Sequence, residues 1–184
     1  MGGGTAGWLA ANHLGRELLG DPEIQITVIE SSDVPIIGVG EGTVPSIRNS
    51  LRDFGISENE FIKACDVTFK QAIKFIDWMD PKVHGAGHYY YHPFDIPYPF
   101  GMDTIPHWLA QKQRPPFADA IGSQSKICDA MLGPKSLGVP EYEGEADYAY
   151  HFDAKKFAQL LARNAQQRFG VKYVSATVTG AQRD

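Results

Sequence analysis

The chain has little cysteine, no long apolar run and no excess of positive charge, and each scarcity excludes something. Cys65 and Cys128 are the only cysteines in 184 residues. Two cannot build a disulfide framework, and they show no metal-type pairing. No stretch approaches the ~20 consecutive apolar residues that a membrane-spanning helix needs, and no basic n-region with an apolar run behind it is present. Lys and Arg total 17 against 22 Asp and Glu, for a net charge of −5. A nucleic-acid binder normally carries the opposite imbalance. There are no internal repeats and no low-complexity tracts. What remains is ordinary for a globular chain: 43% hydrophobic and 21% charged residues. The length suits one domain, or one domain plus part of another, at ~150 residues each. A chain of this size can bury roughly 70% of its unfolded surface. The expectation is a soluble, cytoplasmic α/β protein with no nucleic-acid or membrane partner.

The ends read as interruptions. The chain opens on a glycine-rich turn with nothing before it and closes, over 174–184, on a strand that runs into a turn and stops. The sequence therefore reads as a piece of something longer.

Apolar residues at Ala6, Leu9, Ala10, His13, Leu14 and Leu18 predict a helix over 5–19 with that face buried, ended by Gly20-Asp21-Pro22. Residues 24–30 (Ile-Gln-Ile-Thr-Val-Ile-Glu) are short and β-branched, as in a buried parallel strand. After Pro35 comes a glycine-spaced loop, and Pro45 then opens a helix with Ile47, Leu51 and Phe54 on one face and Gly55 as its stop. Ser57 and Glu60 have capping-box spacing ahead of a short helix ending near Cys65. Residues 67–75 alternate, with Val67, Phe69, Ile73 and Phe75 on one side and Lys70, Ala72 and Lys74 on the other, which reads as one strand. Residues 80–150 are rich in Pro, Gly and aromatics and predict loops with short helices. Asp153 caps a helix that buries Phe157, Leu160, Leu161 and Ala165 and ends at Gly170 before a last strand.

Gly2, Gly4 and Gly7 give G-x-G-x-x-G at the start of a helix. Without side chains, such a turn lets backbone N–H groups approach a pyrophosphate, and the helix N-terminus adds partial positive charge. The next strand ends in Glu30, roughly 20 residues further on, where an acid can accept hydrogen bonds from a ribose. Glycines, helix, strand and acid in that order point to an adenosine-containing dinucleotide; the plain alternative is a glycine-rich turn beside an ordinary glutamate. The strand that usually precedes the first glycine is absent from the sequence. In the second glycine-spaced segment, 38–46, the plain reading is a loop with Thr43 or Ser46 capping the helix behind it. For Lys70 it is a solvated charge.

Gly-Gly-Gly-Thr-Ala-Gly-Trp at 2–8, Gly-Val-Gly-Glu-Gly-Thr-Val-Pro-Ser at 38–46 and Thr-Phe-Lys at 68–70 closely resemble the flavin-dependent tryptophan halogenases. Tyr-His-Pro-Phe at 91–94 and Tyr-His-Phe-Asp at 150–153 also look like that family. The resemblance covers nearly the whole chain. It implies an α/β, FAD-binding Rossmann-like fold of the glutathione-reductase/hydroxylase type, lacking its first strand and its C-terminal part. Residues 1–184 would be the N-terminal part of a single FAD-binding domain, with 80–150 a loop-rich insertion on the substrate side. It further implies that reduced FAD, supplied by a separate flavin reductase, reacts with O2 to give a flavin hydroperoxide. Halide attacks this to form hypohalous acid, which reaches a lysine beside the aromatic substrate. That lysine is Lys70 here. Gly3, Ala6, Ser31, Ile37, Glu41 and Gly42 match positions that contact FAD in the family, and Val178 matches one near the adenine end; Gly2, Gly4, Gly7 and Glu30 join them from the turn and its acid. The loop at 38–46 resembles the strap between the flavin and substrate sites. The family more often has Ala or Ser where Gly42 stands, and its Trp-x-Trp-x-Ile-Pro signature is not among these residues. The glutamate that partners the lysine lies further along in the family. A homodimer is compatible with the resemblance.

His84, His88 and His92 are spaced by four, but two glycines, three tyrosines and a proline among them disfavour the helix that would stack them as metal ligands, so no metal is expected. The aromatics at 89–100 either wall an indole pocket or pack a loop-rich core. His151 and Asp153 read as the start of the last helix rather than a catalytic pair. Three functions therefore stay open: halogenation of tryptophan or another indole, a different two-component flavin monooxygenation of an aromatic, and an inactive nucleotide-binding fragment. The first strand of a doubly wound sheet is central, so the isolated chain is expected to bind FAD poorly or fold badly.

Overall fold

The computed structural model describes residues 2–33, 40–97, 101–180 and 182. Its elements run α1 (Thr5–Glu17), β1 (Thr27–Glu30), β2 (Gly40–Gly42), α2 (Ile47–Asp53), α3 (Glu58–Cys65), β3 (Thr68–Lys70), β4 (Ala72–Ile76), α4 (Pro81–His84) and β5 (Tyr89–Pro93). They continue with α5 (Ile105–Ala110), α6 (Phe117–Ile121), α7 (Gln124–Asp129), β6 (Ala149–Asp153), α8 (Ala154–Phe169) and β7 (Lys172–Ser175). The protein is a mixed α/β chain of two compact units. One comprises residues 1–42, 46–68 and 151–184; the other comprises 43–45 and 69–150. Residues 80–150 lie inside the second.

The first unit is built around α8. Its buried positions Phe157, Leu160, Leu161 and Ala165 are those the periodicity predicted. Asp153 Oδ1 accepts from the Lys156 N–H at the N-cap, and Gly170 closes the helix in the left-handed region at φ +66°. Phe61, Phe152 and Phe157 form a ring cluster with centroids 4.6–5.5 Å apart, each pair adding about 1 kcal/mol beyond its burial. Leu51 and Phe54 are buried from α2, and Ser57 Oγ accepts from the Glu60 N–H, as the capping-box spacing predicted.

Helix α1 forms where expected but presents another face. Trp8, Ala11, Asn12 and Gly15 are buried, whereas Ala6, His13 and Leu14 are exposed. The deciding feature is small-residue packing. At Gly15 a Cβ would lie 2.7 Å from Phe169 Cβ, so the two helices approach closely there. Asn12 crosses that contact: its Nδ2 donates to the carbonyls of Trp8 (2.8 Å) and Leu161 (2.9 Å), and its Oδ1 accepts from Asn164 (2.8 Å). A hydropathy pattern counts Asn and Gly as outward positions and so turns the helix the wrong way.

β1 pairs with β7 in parallel, Thr27 opposite Lys172 through Glu30 opposite Ser175, with Val28 fully buried. β2 pairs antiparallel with the end of β6, Gly40 opposite Asp153 and Gly42 opposite His151, and the strand order of that sheet is β2–β6–β3.

In the second unit the segment expected to be one strand over 67–75 divides. β3 stops at Lys70 and β4 starts at Ala72, and the two belong to different sheets. Gln71 marks the break, its Nε2 donating to the Leu132 carbonyl at 2.6 Å. A two-residue period carries no information about a change of partner, so alternation read through the break. β4 and β5 form an antiparallel pair, Ala72 opposite Pro93 through Ile76 opposite Tyr89, with Phe75 stacked on Tyr90 at 5.1 Å. β5 and β6 were not expected within 80–150, where prolines and aromatics obscure the strand period.

Candidate functional site

The glycine turn sits at the N-terminus of α1. Gly4 is the N-cap with extended φ/ψ, no side chain caps the helix there, and its first turn carries no acid. The first N–H groups of a 13-residue helix thus keep their anion-binding character. The turn has two kinds of glycine. A Cβ on Gly7 would lie 1.8 Å from the Gly2 carbonyl oxygen, and one on Gly3 would lie 2.1 Å from Glu30 Oε2. Cβ atoms on Gly2 and Gly4 would meet nothing within 4 Å. Gly7 is therefore required by the turn itself, Gly3 leaves the space that the Glu30 carboxylate fills, and Gly2 and Gly4 leave an open approach to bare backbone. This is the cradle a pyrophosphate needs, so the residues fit FAD.

The other expected FAD residues of this unit gather in pairs. Glu30 ends β1 with its carboxylate against Gly3, and both line a hollow of about 220 Å³ with Trp8 and Tyr173. Glu41 on β2 accepts from the Thr5 hydroxyl at 3.3 Å, which holds that carboxylate beside the first turn of α1, the turn that also carries Ala6. Ser31 Oγ lies 2.7 Å from Thr177 Oγ1 and accepts from the Asp33 N–H, bringing the end of β1 to the segment that carries the exposed Val178. Gly42 ends β2 opposite His151. Ile37 lies outside the described residues, as do Pro35, Gly38 and Val39.

Lys70 belongs to the second unit. It is half-buried, and its Nζ donates to the Thr43 carbonyl at 2.9 Å and lies 5.5 Å from the centre of the Phe94 ring. Thr43 is fixed in turn: its N–H and Oγ1 both donate to the Tyr150 carbonyl (3.0 and 3.2 Å), and Oγ1 is 3.2 Å from the Tyr150 nitrogen. The expected capping role therefore does not fall to Thr43, and Ser46 at the N-cap of α2 makes no side-chain cap bond either. The Phe69 ring packs against Tyr148 and Tyr150 at 5.3 and 6.2 Å. Because neighbours alternate on a strand, anchoring Phe69 in that cluster turns Lys70 the other way.

Sequence reasoning missed Gln124. It is fully buried at the start of α7, where its Oε1 accepts from the backbone N–H groups of Phe94 (2.6 Å) and Asp95 (2.9 Å) and its Nε2 donates to the Asp147 carbonyl. A lone glutamine in a loop-rich segment carries no signal by which sequence could find it.

The same unit holds a cavity of about 810 Å³ lined by the aromatics Tyr89, Tyr90, Tyr91, Trp108 and Phe117 together with Arg114. Lys70 is not among its lining residues. At its edge Asp129 Oδ1 accepts from Tyr91 (2.6 Å) and Lys74 (3.0 Å). Those hydrogen bonds, Tyr91 first, hold Asp129 below the ordinary carboxylate range, and the bond to Asp129 raises Lys74. The His84 and His88 rings lie 5.0 Å apart and tilted by 43°, His92 lies on β5, and among the described residues no group of three or more His, Cys, Asp or Glu is placed to hold a metal.

Among known proteins, residues 1–184 match the family profile described as tryptophan halogenase. Tryptophan 7-halogenase RebH of Lentzea aerocolonigenes is 35% identical over 198 residues, covering 100% of this chain and 36% of the relative. Tryptophan 6-halogenase ThaL of Streptomyces albogriseolus is 34% identical, covering 97% of this chain and 36% of its own. The crystal structure of a tryptophan halogenase from Shewanella frigidimarina NCIMB 400 superposes with a TM-score of 0.90 at 41% identity, over 100% of this chain and 36% of that one. The chain spans little more than a third of the length of these relatives. With the profile matched from end to end, the chain belongs to the tryptophan halogenase family.

Proposed function

We propose that this chain is the flavin- and lysine-bearing part of an FAD-dependent halogenase acting on tryptophan or another indole-type aromatic, with Lys70 as its catalytic residue. Chloride or bromide and O2 are the co-substrates, a separate flavin reductase supplies reduced FAD, and the enzyme works in the cytoplasm. Gly2, Gly3, Gly4, Ala6, Gly7, Glu30, Ser31, Ile37, Glu41, Gly42 and Val178 are the residues assigned to FAD. Reduced FAD, with oxygen and halide, is the source of hypohalous acid.

The tethering of Lys70 supports this reading most directly. One of its three ammonium N–H bonds goes to the Thr43 carbonyl in the 38–46 strap, and among the described residues two remain for a ligand. An ammonium held so donates to the oxygen of hypohalous acid and draws electron density from the halogen. The aromatic carbon then attacks the halogen, the carbon–halogen bond forms as the oxygen–halogen bond breaks, and the oxygen departs as water after taking up a proton. The ring regains aromaticity by losing the proton from the same carbon. The Phe94 face attracts the ammonium and keeps a non-reacting, apolar surface beside it. In this reading the Glu30 carboxylate, which lies beside Gly3, accepts from ribose hydroxyls, and the open backbone at Gly2 and Gly4 donates to phosphate.

The test uses the full-length protein with FAD, a flavin reductase, NADH, oxygen, halide and tryptophan or indole, with products read by mass. A halogenated product that disappears in Lys70→Ala, while FAD still binds, is expected. A hydroxylated product, or a Lys70→Ala variant halogenating at the normal rate, overturns the proposal.

A further inference from the structure

We propose that Gln124 is the positioning residue for Lys70, acting through Phe94; this rests on the assignment of Lys70 above. The argument starts from register. Ala72 pairs with Pro93, and both strands end there, so Lys70 and Phe94 leave the β4–β5 pair at the same end. Beyond the last pair the ladder supplies no partner for the N–H groups of Phe94 and Asp95. Those donors are partly buried, and leaving them unsatisfied would favour any conformation that exposes them to water. Gln124 Oε1 takes both, at 2.6 and 2.9 Å. Its Nε2 is in turn committed to the Asp147 carbonyl, while the Asp147 N–H donates back to Asp95 Oδ1 at 3.0 Å.

The result is a closed circuit through one side chain with no exposed surface. It sets the backbone of Phe94, and the Phe94 ring is the surface over which the Lys70 ammonium lies. The ammonium is also held by its hydrogen bond to the Thr43 carbonyl. Lys70 thus has two supports, one polar and one aromatic, and Gln124 governs the aromatic one without touching Lys70. Only an amide serves: it must accept two N–H groups on one atom and donate to a carbonyl from the other. A methionine of similar length does neither, and a glutamate does both only when protonated.

The experiment uses the full-length enzyme and measures halogenated product per reduced FAD consumed, beside the rate of reduced-FAD oxidation. In Gln124→Met the product ratio should fall by about 10²-fold, the scale of a 1 Å misplacement at a reacting centre, with flavin oxidation unchanged. In Gln124→Glu the ratio should recover as pH falls and the carboxyl becomes protonated. Parallel loss of both rates in Gln124→Met would make the residue merely structural and overturn the proposal, as would an unchanged ratio. If Gln124→Met does not fold, the Gln124→Glu profile decides, and one flat with pH overturns the proposal. Lys70→Ala run alongside separates the two claims. Persisting halogenation there removes the Lys70 assignment, whereas its loss together with an unperturbed Gln124→Met removes only the role of Gln124.

Discussion

Replacing Gly7 with Ala tests the cofactor cradle more sharply than any other change in the first unit. The added Cβ would lie 1.8 Å from the Gly2 carbonyl oxygen, short of ordinary contact at 3.4 Å by about 1.6 Å. The obstructing atom is backbone, so the turn must move bodily, because no side chain can swing aside. A displacement of that size breaks hydrogen bonds from the turn to a bound pyrophosphate. With two such bonds at about 1.5 kcal/mol each, the low end for charged partners, the loss is about 3 kcal/mol, or more than 100-fold in Kd. Gly4→Ala provides the contrast. Its Cβ meets nothing within 4 Å and its φ of −73° suits alanine, so the fold loses only the N-cap preference, about 1 kcal/mol or less. If FAD approaches that open backbone, Gly4→Ala must nevertheless weaken FAD while leaving Tm within a few degrees. Titration of the full-length protein with FAD by calorimetry, with Tm measured in parallel, decides. Wild-type affinity in Gly7→Ala would refute the cradle, and wild-type affinity in Gly4→Ala would refute the direction of approach.

The remaining predictions concern packing and titration. Asn12→Leu removes two hydrogen bonds across the α1–α8 contact, to the Leu161 carbonyl and from Asn164, and one within α1 to the Trp8 carbonyl, so unfolding by denaturant should show a loss of about 3 kcal/mol; a neutral result would mean that the helices repack without the amide. Burial, aided by the nearby Asp153 carboxylate, pushes the Cys65 thiol up to about 12, so a thiol reagent at pH 8 should label Cys65 only after unfolding. Asp129 is held low by Tyr91 and then Lys74, so its contribution to stability is present above the ordinary carboxylate value and is lost as pH falls through its folded value. Tyr91→Phe should therefore raise the Asp129 midpoint in a carboxyl NMR titration, and the stability difference from wild type should shrink toward acid pH. Lys74 is raised, so its share is complete below the ordinary lysine value and disappears only as pH rises past its folded one.

The parts of the fold that were legible in the sequence are those governed by local rules. Asp153, Ser57 and Gly170 act within a few residues of themselves, and the structure places each where its spacing implied. What failed needed knowledge of a partner. The orientation of α1 depends on Phe169 reaching into the space left by Gly15 and on an asparagine that is buried because two carbonyls and Asn164 satisfy it. The division at Gln71 is likewise a decision between two sheets, invisible to a two-residue period.

The candidate site divides along the same line. Gly7 announces itself because only the absence of a Cβ allows its approach to the Gly2 backbone, and absence is a property of sequence. The lysine is legible only as part of an ordered set of motifs, since a half-buried ammonium and a solvated one are spelled alike. What converts Lys70 from a surface charge into a placed group is a carbonyl in the strap, a ring just past the end of β5 and a glutamine 54 positions away in the chain. None of those supports is charged, and none has a spacing that constrains it. A reader of sequence finds the proposed reacting group; the residues that hold it still are recoverable only from the geometry, and a motif-guided transplant of Lys70 without Thr43, Phe94 and Gln124 would carry the amine and leave its aim behind.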